Sequence, residues 1–447
     1  MGERLFGTDG IRAKVGTYPL TEEMVTRIGQ AVAYLWRKGK DAPLIIVGRD
    51  TRLSGPILEQ ALLHGLVVGG ARVFTCGVLP TPAVAYLTRA LKADLGIIIS
   101  ASHNPWVDNG LKFFDGEGFK LSEEKEGEIE ELLALRSSFP SAAQSIPPSF
   151  FTAGESRYIQ FLRRAFSEET LLKDRTIVLD CANGATYRVA PKVFTLTGGR
   201  VITVSAEPDG KNINENCGSQ YPEKLAAKVL AEKADVGFAF DGDGDRVIAV
   251  DEKGCILTGD QILAALVAFR HKEGKLKNNL VVRTVMSNMG ITQFLRERGI
   301  NYITTDVGDR AVLKAMLTYD AELGGEDSGH IILLDRHTTG DGLLTALALM
   351  FVLKKEKKPL SELVQGIKIF PQRLINVEVT KPKDVLSVPQ VARTVKEVET
   401  ELGTLGRVLI RPSGTQPLYR IMVESPDPEL TERCAERLAA VVREALS

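Results

Sequence analysis

Three times along the chain, a short run of β-branched residues leads into a loop of small and polar residues, then a helical segment and a second strand. The first strands of these units are predicted at residues 44–47, 176–179 and 280–282, and the second strands at residues 72–74, 200–204 and 302–304. Strands that alternate with helices predict α/β units. Each copy is as long as a small domain, so the sequence predicts three related α/β domains.

The end of the chain has a different pattern. It predicts strands at residues 374–379, 408–410 and 419–423, a helix at 391–402 and a closing helix from Pro428. Because two of these strands flank the short segment RPSGTQP, they predict an antiparallel pair in an α+β domain. Linkers are predicted at residues 137–149, 251–254 and 354–359. The predicted domains are residues 1–150, 151–253, 254–368 and 369–447.

The charge and the cysteines exclude several classes of protein. The formal net charge is -1, from 56 basic and 57 acidic residues, so no global field favours nucleic acid or a membrane surface. The five cysteines are scattered and show no CxxC spacing, which predicts no disulfide framework, no zinc site and a reducing cytoplasm. The N-terminus has no apolar signal core, and the apolar residues 343–353 are too few to span a membrane and predict a buried helix.

The segment DGDGDR, residues 241–246, places three carboxylates at alternate positions between glycines. Glycine lets the chain bend so that Asp241, Asp243 and Asp245 converge, and such a cluster is typical of a hard divalent cation, magnesium before calcium. A solvated acidic turn is the alternative. An EF-hand is excluded because Arg246 stands where that loop needs glycine and strand patterns flank the segment.

Two further loops have the chemistry of a sugar phosphate site. RPSGTQPLYR, residues 411–420, combines two arginines with hydroxyls and a glycine, which suits a phosphate dianion; the alternative is an ordinary hairpin loop. GGEDSGH, residues 324–330, offers polar groups that suit the vicinal hydroxyls of a sugar; the alternative is a capping turn before the next strand.

Ser102 follows a predicted buried strand, in the segment ISASHNP. A turn or capping serine is the simplest interpretation. A serine hydrolase is a poor match because there is no GxSxG elbow, and neither a Walker A loop nor a GxGxxG is present. A phosphate ester on Ser102 would unite the features, because a magnesium ion between the phosphoserine and the aspartates would offset the charge of both.

ISASHNP, DGDGDR, GGEDSGH and RPSGTQPLYR, in this order and at these separations, resemble the four signature loops of the α-D-phosphohexomutase superfamily. The resemblance covers essentially the whole chain. It implies a heart-shaped fold of four domains, in which three α/β domains with mixed sheets precede a TATA-binding-protein-like α+β domain. The catalytic cleft of such a fold lies between the domains.

The segments FGTDGIR, TPAVAYLTRALKADLGIIISASHNPWVDNGLKFF and GGEDSGHIILLDRHTTGDG resemble one branch of the superfamily. That branch interconverts glucosamine 6-phosphate and glucosamine 1-phosphate for UDP-N-acetylglucosamine and cell-wall synthesis. The resemblance implies an isomerase of the intramolecular phosphotransferase class, with glucosamine 1,6-bisphosphate as intermediate and activator.

The resemblance also assigns roles to residues of the phosphoryl site. Ser102 would carry the phosphate and bind one Mg²⁺ together with the three aspartates. Arg12 would face the phosphoserine, and Arg246 would lie near the transferring phosphate. His103 and Lys112 match positions of proton transfer, and Lys112 is preferred as the general base.

Further residues match the substrate contacts of the superfamily. Glu326, Ser328 and His330 match the contacts to sugar hydroxyls. The clamp on the phosphate that does not react is matched by Arg411, Ser413, Gly414, Thr415 and Arg420. The chain departs from the pattern of its branch at Ala13, Asp327, Pro412 and Gln416. Asp327 bears on sugar preference, because it lies within the sugar loop.

Two alternative functions stay open. A phosphomannomutase/phosphoglucomutase would use the same chemistry on an uncharged sugar. A phosphosugar-binding regulator without catalysis is more remote, because Ser102, DGDGDR and Lys112 are all present. The predicted partner is a small phosphosugar, without nucleic acid or membrane, and the resemblance suggests a homodimer through the first domain.

Overall fold

The computed structural model describes residues 4–37, 42–135, 138–142, 145–166, 171–378, 385–412 and 418–446. The chain forms two compact units. The first comprises Met1–Val285 and Tyr302–Val364, and the second comprises Met286–Asn301 and Gln365–Ser447.

The first sheet of the first unit is mixed and has the order β1-β5-β4-β2-β3-β6. Its strands are β1 (Ile11–Lys14), β2 (Leu44–Arg49), β3 (Arg72–Val78), β4 (Leu95–Ile99), β5 (Asp108–Asp115) and β6 (Ser149–Phe150). The accompanying helices are α1 (Glu22–Trp36), α2 (Gly55–Val68), α3 (Thr81–Ala90) and α4 (Glu123–Leu135). β4 is buried along its whole length, as its run of isoleucines predicts for a strand covered on both faces.

The second sheet has the order β11-β10-β9-β7-β8. Its strands are β7 (Thr176–Asp180), β8 (Arg200–Val204), β9 (Val236–Phe240), β10 (Val247–Asp251) and β11 (Ile256–Leu257), and its helices are α5 (Gly154–Arg164), α6 (Val189–Leu196) and α7 (Glu223–Glu232). The linker predicted at residues 251–254 is wrong. β10 and β11 pair as an antiparallel hairpin, so these residues form its turn, where Gly254 adopts a φ of +80° that favours glycine.

The third sheet has the order β13-β12-β14-β15. Its strands are β12 (Leu280–Thr284), β13 (Asn301–Thr305), β14 (Leu323–Gly325) and β15 (Ile331–Leu333). The helices in this part of the chain are α8 (Gly259–Lys272), α9 (Met289–Glu297), α10 (Asp309–Thr318), α11 (Gly342–Glu356) and α12 (Leu360–Leu363). Of the linker predicted at residues 354–359, residues 354–356 form the last turn of α11, and only residues 357–359 join α11 to α12.

The apolar run at residues 343–353 forms α11, which is buried almost throughout, as predicted. The side chain of Asp341 caps this helix by accepting a hydrogen bond from the Leu344 amide at 2.9 Å. Among the described residues, no helix combines the length and the apolar character that a membrane span requires.

The C-terminal sheet is antiparallel and has the order β16-β18-β17. Its strands are β16 (Gln372–Glu378), β17 (Arg407–Pro412) and β18 (Leu418–Glu424), and its helices are α13 (Pro389–Leu402) and α14 (Pro428–Leu446). The core of this domain contains Ile375, Val391, Ile421 and Leu438. The predicted α+β pattern is confirmed, although residue 379 of the first predicted strand lies outside the described residues. Short 3₁₀ helices lie at Gly218–Gln220, Lys277–Asn279, Val385–Ser387 and Gly403–Leu405.

Candidate active site

Three of the four predicted loops meet in the first unit. The loop of Ser102 follows the buried strand β4, the segment 241–246 joins β9 to β10, and the segment 326–330 joins β14 to β15. Each begins at the carboxyl end of a strand, which is where α/β proteins place their ligand sites. The fold therefore collects side chains from three separate sheets.

Ser102 is buried and its hydroxyl faces the acidic segment. Its Oγ donates a hydrogen bond to Asp241 Oδ2 at 2.6 Å. Its backbone has a φ of +52°, an uncommon conformation for a residue other than glycine. The loop is thus more than a turn, because it directs one hydroxyl at one carboxylate.

The aspartates 241, 243 and 245 are buried, and their ligand atoms lie within 4.8 Å of one another. Asp243 Oδ2 accepts hydrogen bonds from Thr81 Oγ1 at 2.5 Å and from Lys112 Nζ at 2.7 Å. Asp243 Oδ1 and Asp245 Oδ1 have no hydrogen-bond partner in the described part of the chain. Two orphaned carboxylate oxygens beside a third acidic group fit a hard divalent cation, so the solvated acidic turn is excluded.

Burial and the neighbouring Asp245 and Asp243 raise the pKa of Asp241 well above its ordinary value. Burial would also raise the pKa of Asp245, but the charges of Lys112, His330 and Arg246 outweigh it and hold that pKa well below the ordinary value. Asp241 and Asp245 therefore have pKa values shifted in opposite directions, as crowded acidic groups often do.

Lys112 provides a positive charge inside this cluster. Its Nζ lies 2.7 Å from Asp243, 3.2 Å from Asp245 and 3.1 Å from Asp9. Burial disfavours the ammonium, but the three carboxylates outweigh burial and raise the pKa of Lys112 well above its ordinary value. The lysine predicted from sequence is therefore present, as the counter-ion of the aspartates.

Asp9 was not predicted as a site residue, yet it links several charges. It pairs with Lys112, with Arg12 and with Lys120, which also pairs with Asp309. Burial is outweighed by these three cations, so the pKa of Asp9 is well below its ordinary value. The available signal was a carboxylate within GTDG, immediately before β1, but the glycines around it were equally consistent with a simple turn.

His103 lies beside the hydroxyl of Ser102, and Arg246 contacts the carboxylate that accepts from this hydroxyl. His103 Nδ1 lies 3.5 Å from Ser102 Oγ. Burial and the positive charges of Arg246 and Arg12 lower the pKa of His103 to about 4, so its imidazole is neutral at neutral pH. The Arg246 amide donates to Asp241 Oδ1 at 3.1 Å.

The three predicted residues of the segment 326–330 differ in their burial. Glu326 is buried and accepts a hydrogen bond from the Gly308 amide at 2.9 Å, whereas Ser328 is exposed. His330 is buried, with Nδ1 3.7 Å from Asp245; burial lowers its pKa, but the hydrogen bond and charge of Asp245 outweigh burial and raise it. The hairpin therefore brings one histidine to the acidic cluster and leaves one serine accessible.

The fourth loop lies in the second unit. Arg411 and Arg420 are direct partners across the antiparallel pair of β17 and β18. Burial and the charge of Arg420 lower the pKa of Arg411, and neither arginine forms an ion pair within the described ranges. Like charges opposite each other are unfavourable, and a dianion would relieve the repulsion. Ser413, Gly414 and Thr415 lie outside the described residues.

Comparison with known proteins assigns the class. The sequence matches the four domain models of the phosphoglucomutase/phosphomannomutase family: alpha/beta/alpha domain I at residues 3–138, domain II at 156–254, domain III at 258–370 and the C-terminal domain at 374–441. The chain belongs to this family. The predicted fold class, with three α/β domains before a C-terminal α+β domain, is confirmed.

Two curated proteins that are similar over their full length have the same name. The phosphoglucosamine mutase of Syntrophus aciditrophicus is 51% identical over 446 residues and covers 99% of both chains. The phosphoglucosamine mutase of Anoxybacillus flavithermus is 48% identical over 444 residues, again with 99% of both chains covered.

Solved structures share the fold at lower identity. A phosphoglucomutase/phosphomannomutase family protein from Burkholderia thailandensis has a TM-score of 0.80 and 24% identity, over 99% of this chain and 97% of that one. An N-acetylphosphoglucosamine mutase from Aspergillus fumigatus, in complex with GlcNAc-6P and magnesium, has a TM-score of 0.70 and 18% identity, over 99% and 96% of the two chains.

Proposed function

We propose that this chain is a phosphoglucosamine mutase, an intramolecular phosphotransferase that interconverts glucosamine 6-phosphate and glucosamine 1-phosphate. The observation that carries the chemistry is the hydrogen bond of 2.6 Å from Ser102 Oγ to Asp241 within a cluster of three buried aspartates. The full-length likeness to proteins named phosphoglucosamine mutase supports the choice of sugar. The product feeds UDP-N-acetylglucosamine and cell-wall synthesis.

The proposed cycle has two transfers. In the first, the bond between phosphorus and Ser102 Oγ breaks and a bond from phosphorus to the free sugar hydroxyl forms; that hydroxyl gives up its proton and Ser102 Oγ takes one up. The product is glucosamine 1,6-bisphosphate, which turns over within the site. In the second transfer, the bond between the other phosphorus and its sugar oxygen breaks and a bond from that phosphorus to Ser102 Oγ forms; Ser102 Oγ gives up its proton and the sugar oxygen regains one. The serine therefore ends phosphorylated, as it began.

The charged residues of the site have separate proposed roles in the two transfers. Asp241, Asp243 and Asp245 would hold one Mg²⁺ together with the phosphate of Ser102; a bound magnesium ion supplies electrostatic stabilisation of the transferring phosphoryl group. Lys112 remains the residue proposed for proton transfer. Since the surrounding carboxylates raise its pKa, it holds a proton in this site and can act as a base only after it has given that proton up.

Three residues around Ser102 complete the phosphoryl site. Arg246 and Arg12 would bind the oxygens of the transferring phosphate, as forked guanidinium groups do. His103, neutral at neutral pH, would accept or donate a hydrogen bond beside Ser102.

The substrate contacts are proposed from the remaining loops. Glu326 and Ser328 would bind sugar hydroxyls, with His330 beside them. The phosphate that does not react would be clamped by Arg411, Ser413, Gly414, Thr415 and Arg420. A clamp on a separate domain suits two opposite orientations of one intermediate, because the domain can hinge without disturbing the metal ligands.

The proposal also covers the cellular location, the oligomeric state and the domain boundaries of the protein. All five cysteines are free, which supports a cytoplasmic enzyme. A homodimer through the first domain is proposed, and so are the domain boundaries at residues 150, 253 and 368.

Intact mass and rates test the function. The purified protein is expected to lose one phosphate on phosphatase treatment, and peptide mapping should locate it on Ser102. Ser102→Ala is expected to abolish mutase turnover, because the phosphoryl group then has no carrier. Full turnover by this variant would refute the mechanism. A much higher kcat/KM on glucose or mannose phosphates than on glucosamine phosphate would instead identify a phosphomannomutase/phosphoglucomutase.

A further inference from the structure

A guanidinium group lies buried beneath the loop that carries Ser102. Arg52 is only 1% exposed. It donates hydrogen bonds to the carbonyl oxygens of Ser102 at 3.0 Å, Asn104 at 2.8 Å and Asp108 at 3.0 Å, and to that of Pro105. Four backbone carbonyls of one loop thus converge on one side chain, and the fork of donors on arginine is the group that can bind such a set.

The loop needs an external partner to keep this conformation. Ser102 has a φ of +52°, and residues other than glycine persist there only where their surroundings hold them. Within the loop, the Asn104 amide donates to the Ala101 carbonyl and the Asp108 amide to the Pro105 carbonyl, each at 3.1 Å. One side-chain hydrogen bond, from Asn104 Nδ2 to Asp108 Oδ2 at 3.1 Å, joins its two ends. Buried carbonyls require donors, and Arg52 donates to all four of these carbonyls.

The positive charge of Arg52 is balanced close by. Asp50 Oδ2 accepts from Arg52 Nε at 2.9 Å and from Ser100 Oγ at 2.6 Å. Ser100 Oγ in turn accepts from the Ser102 amide at 3.0 Å. Both backbone groups of Ser102 are therefore tied to one buried network, which begins at the carboxyl end of β2.

The side chain of Asn214, from a connection of the second sheet, is a second donor to two of these carbonyls. Asn214 Nδ2 donates to the carbonyl of Ser102 at 3.0 Å and to that of Asn104 at 3.2 Å. Asn214 lies between β8 and β9, the second of which leads into the aspartates. Asn214 thus connects the loop of Ser102 to the part of the chain that leads to the aspartates.

We propose that Arg52 is a positioning residue for phosphoryl transfer, which fixes the backbone of Ser102 so that its oxygen keeps its place before Asp241 during both transfers. The backbone of Ser102 is bound on one side while its hydroxyl meets Asp241 at 2.6 Å on the other. This inference rests on the proposed mutase function. Transfer in line requires close control of the distance between oxygen and phosphorus, which a loosened loop would lose.

Arg52→Lys tests the proposal, because lysine keeps the charge but cannot bind four carbonyls at once. The measurement is steady-state mutase kinetics on glucosamine phosphate, with the melting temperature measured alongside and assays run where the variant is folded. We expect kcat to fall about 10²-fold while KM changes less than about threefold, because Arg52 does not touch the sugar. Arg27→Lys is the matched control, since Arg27 donates to one backbone carbonyl, Leu133 at 3.0 Å, in the same domain.

Each of the other outcomes also supports or overturns the proposed role of Arg52. A folded Arg52→Lys protein with kcat within about threefold of wild type would overturn the proposal while leaving the mutase function intact. If Arg52→Lys does not fold, Asp50→Asn takes its place, because it removes the charge that holds Arg52 Nε at 2.9 Å. A fall in kcat of about tenfold at unchanged KM supports positioning by Arg52, and unchanged kcat overturns it. A wild-type protein without mutase activity would reject the proposed function itself, and this inference with it.

Discussion

Carboxylates outnumber cations at the centre of this protein. Asp243, Asp245 and Asp9 pair with the ammonium of Lys112, and Asp241 lies beside the first two. Buried charge is stable only when it is compensated, yet two carboxylate oxygens, Asp243 Oδ1 and Asp245 Oδ1, have no hydrogen-bond partner in the described ranges. The residues thus define a site that favours a cation.

Asp243→Asn tests this charge balance. Magnesium is expected to raise the melting temperature of the wild-type protein, because an ion that binds only the folded state stabilises it. In the variant, the affinity for magnesium inferred from the same titration should fall by about 10- to 100-fold or more. Asp180→Asn is a suitable control, since Asp180 is equally buried but lies outside the cluster and accepts from two backbone amides. Equal magnesium dependence in wild type and Asp243→Asn would contradict the assignment.

At the scale of elements, the sequence pattern located strands such as β2, β7 and β12, because these runs are rich in β-branched residues and bounded by turns. The strand predicted at residues 176–179 is β7, and the helix predicted at 391–402 is α13. The turn at residues 251–254 was mistaken for a linker, because glycine and charge mark both and only the pairing of β10 with β11 distinguishes them. For single residues brought in by the fold, such as Arg52 and Asp9, the local sequence does not decide the role, because that role depends on contacts with distant loops.

The amino end of α11 has a carboxyl that is sensitive to pH. Burial raises the pKa of Asp341 to about 7, against hydrogen bonds from Leu344 and Tyr158 that lower it. Since an unfolded aspartate has a pKa near 3.9, the folded state binds the proton more tightly. The contribution of Asp341 to the free energy of unfolding should therefore be largest at low pH, where both states are protonated, and fall as the pH rises from about 4 through about 7.

Asp341→Asn isolates this contribution, because asparagine keeps the oxygen that caps the helix and loses the titration. The measurement is the urea midpoint of both proteins across the same pH range. The wild-type midpoint should decline relative to that of the variant as the pH rises. Parallel curves would show that Asp341 has an ordinary pKa.

At the scale of the whole molecule, the compact units do not follow the order of the chain. The segment Met286–Asn301, which contains α9, belongs to the same unit as the C-terminal domain. Asn288 Nδ2 donates a hydrogen bond to the Phe370 carbonyl at 3.0 Å, and the Phe370 amide donates to Asn288 Oδ1 at 2.9 Å. A boundary drawn at residue 368 from sequence assumes that a domain is continuous, so the boundary stays a prediction.

Glu424 is the residue whose change should reveal this discontinuous unit. It is fully buried, accepts from the Met289 amide at 2.6 Å and pairs with Arg407 at 2.7 Å. Arg407 also donates to the Ser287 carbonyl at 2.8 Å. Glu424→Gln keeps the shape but removes the charge, so the protection of α9 against amide hydrogen exchange should fall by about 1–3 kcal/mol.

Hydrogen exchange measured by mass spectrometry checks this expectation by region. Peptides that cover α9 should exchange faster in Glu424→Gln, while peptides that cover β7 and β9 in the first unit should not change. Glu401→Gln provides the control, because Glu401 pairs with Arg433 on the surface of the same domain, where ion pairs contribute little. If α9 kept its protection in Glu424→Gln, the buried carboxylate would not hold the segment, and α9 would depend on its packing alone.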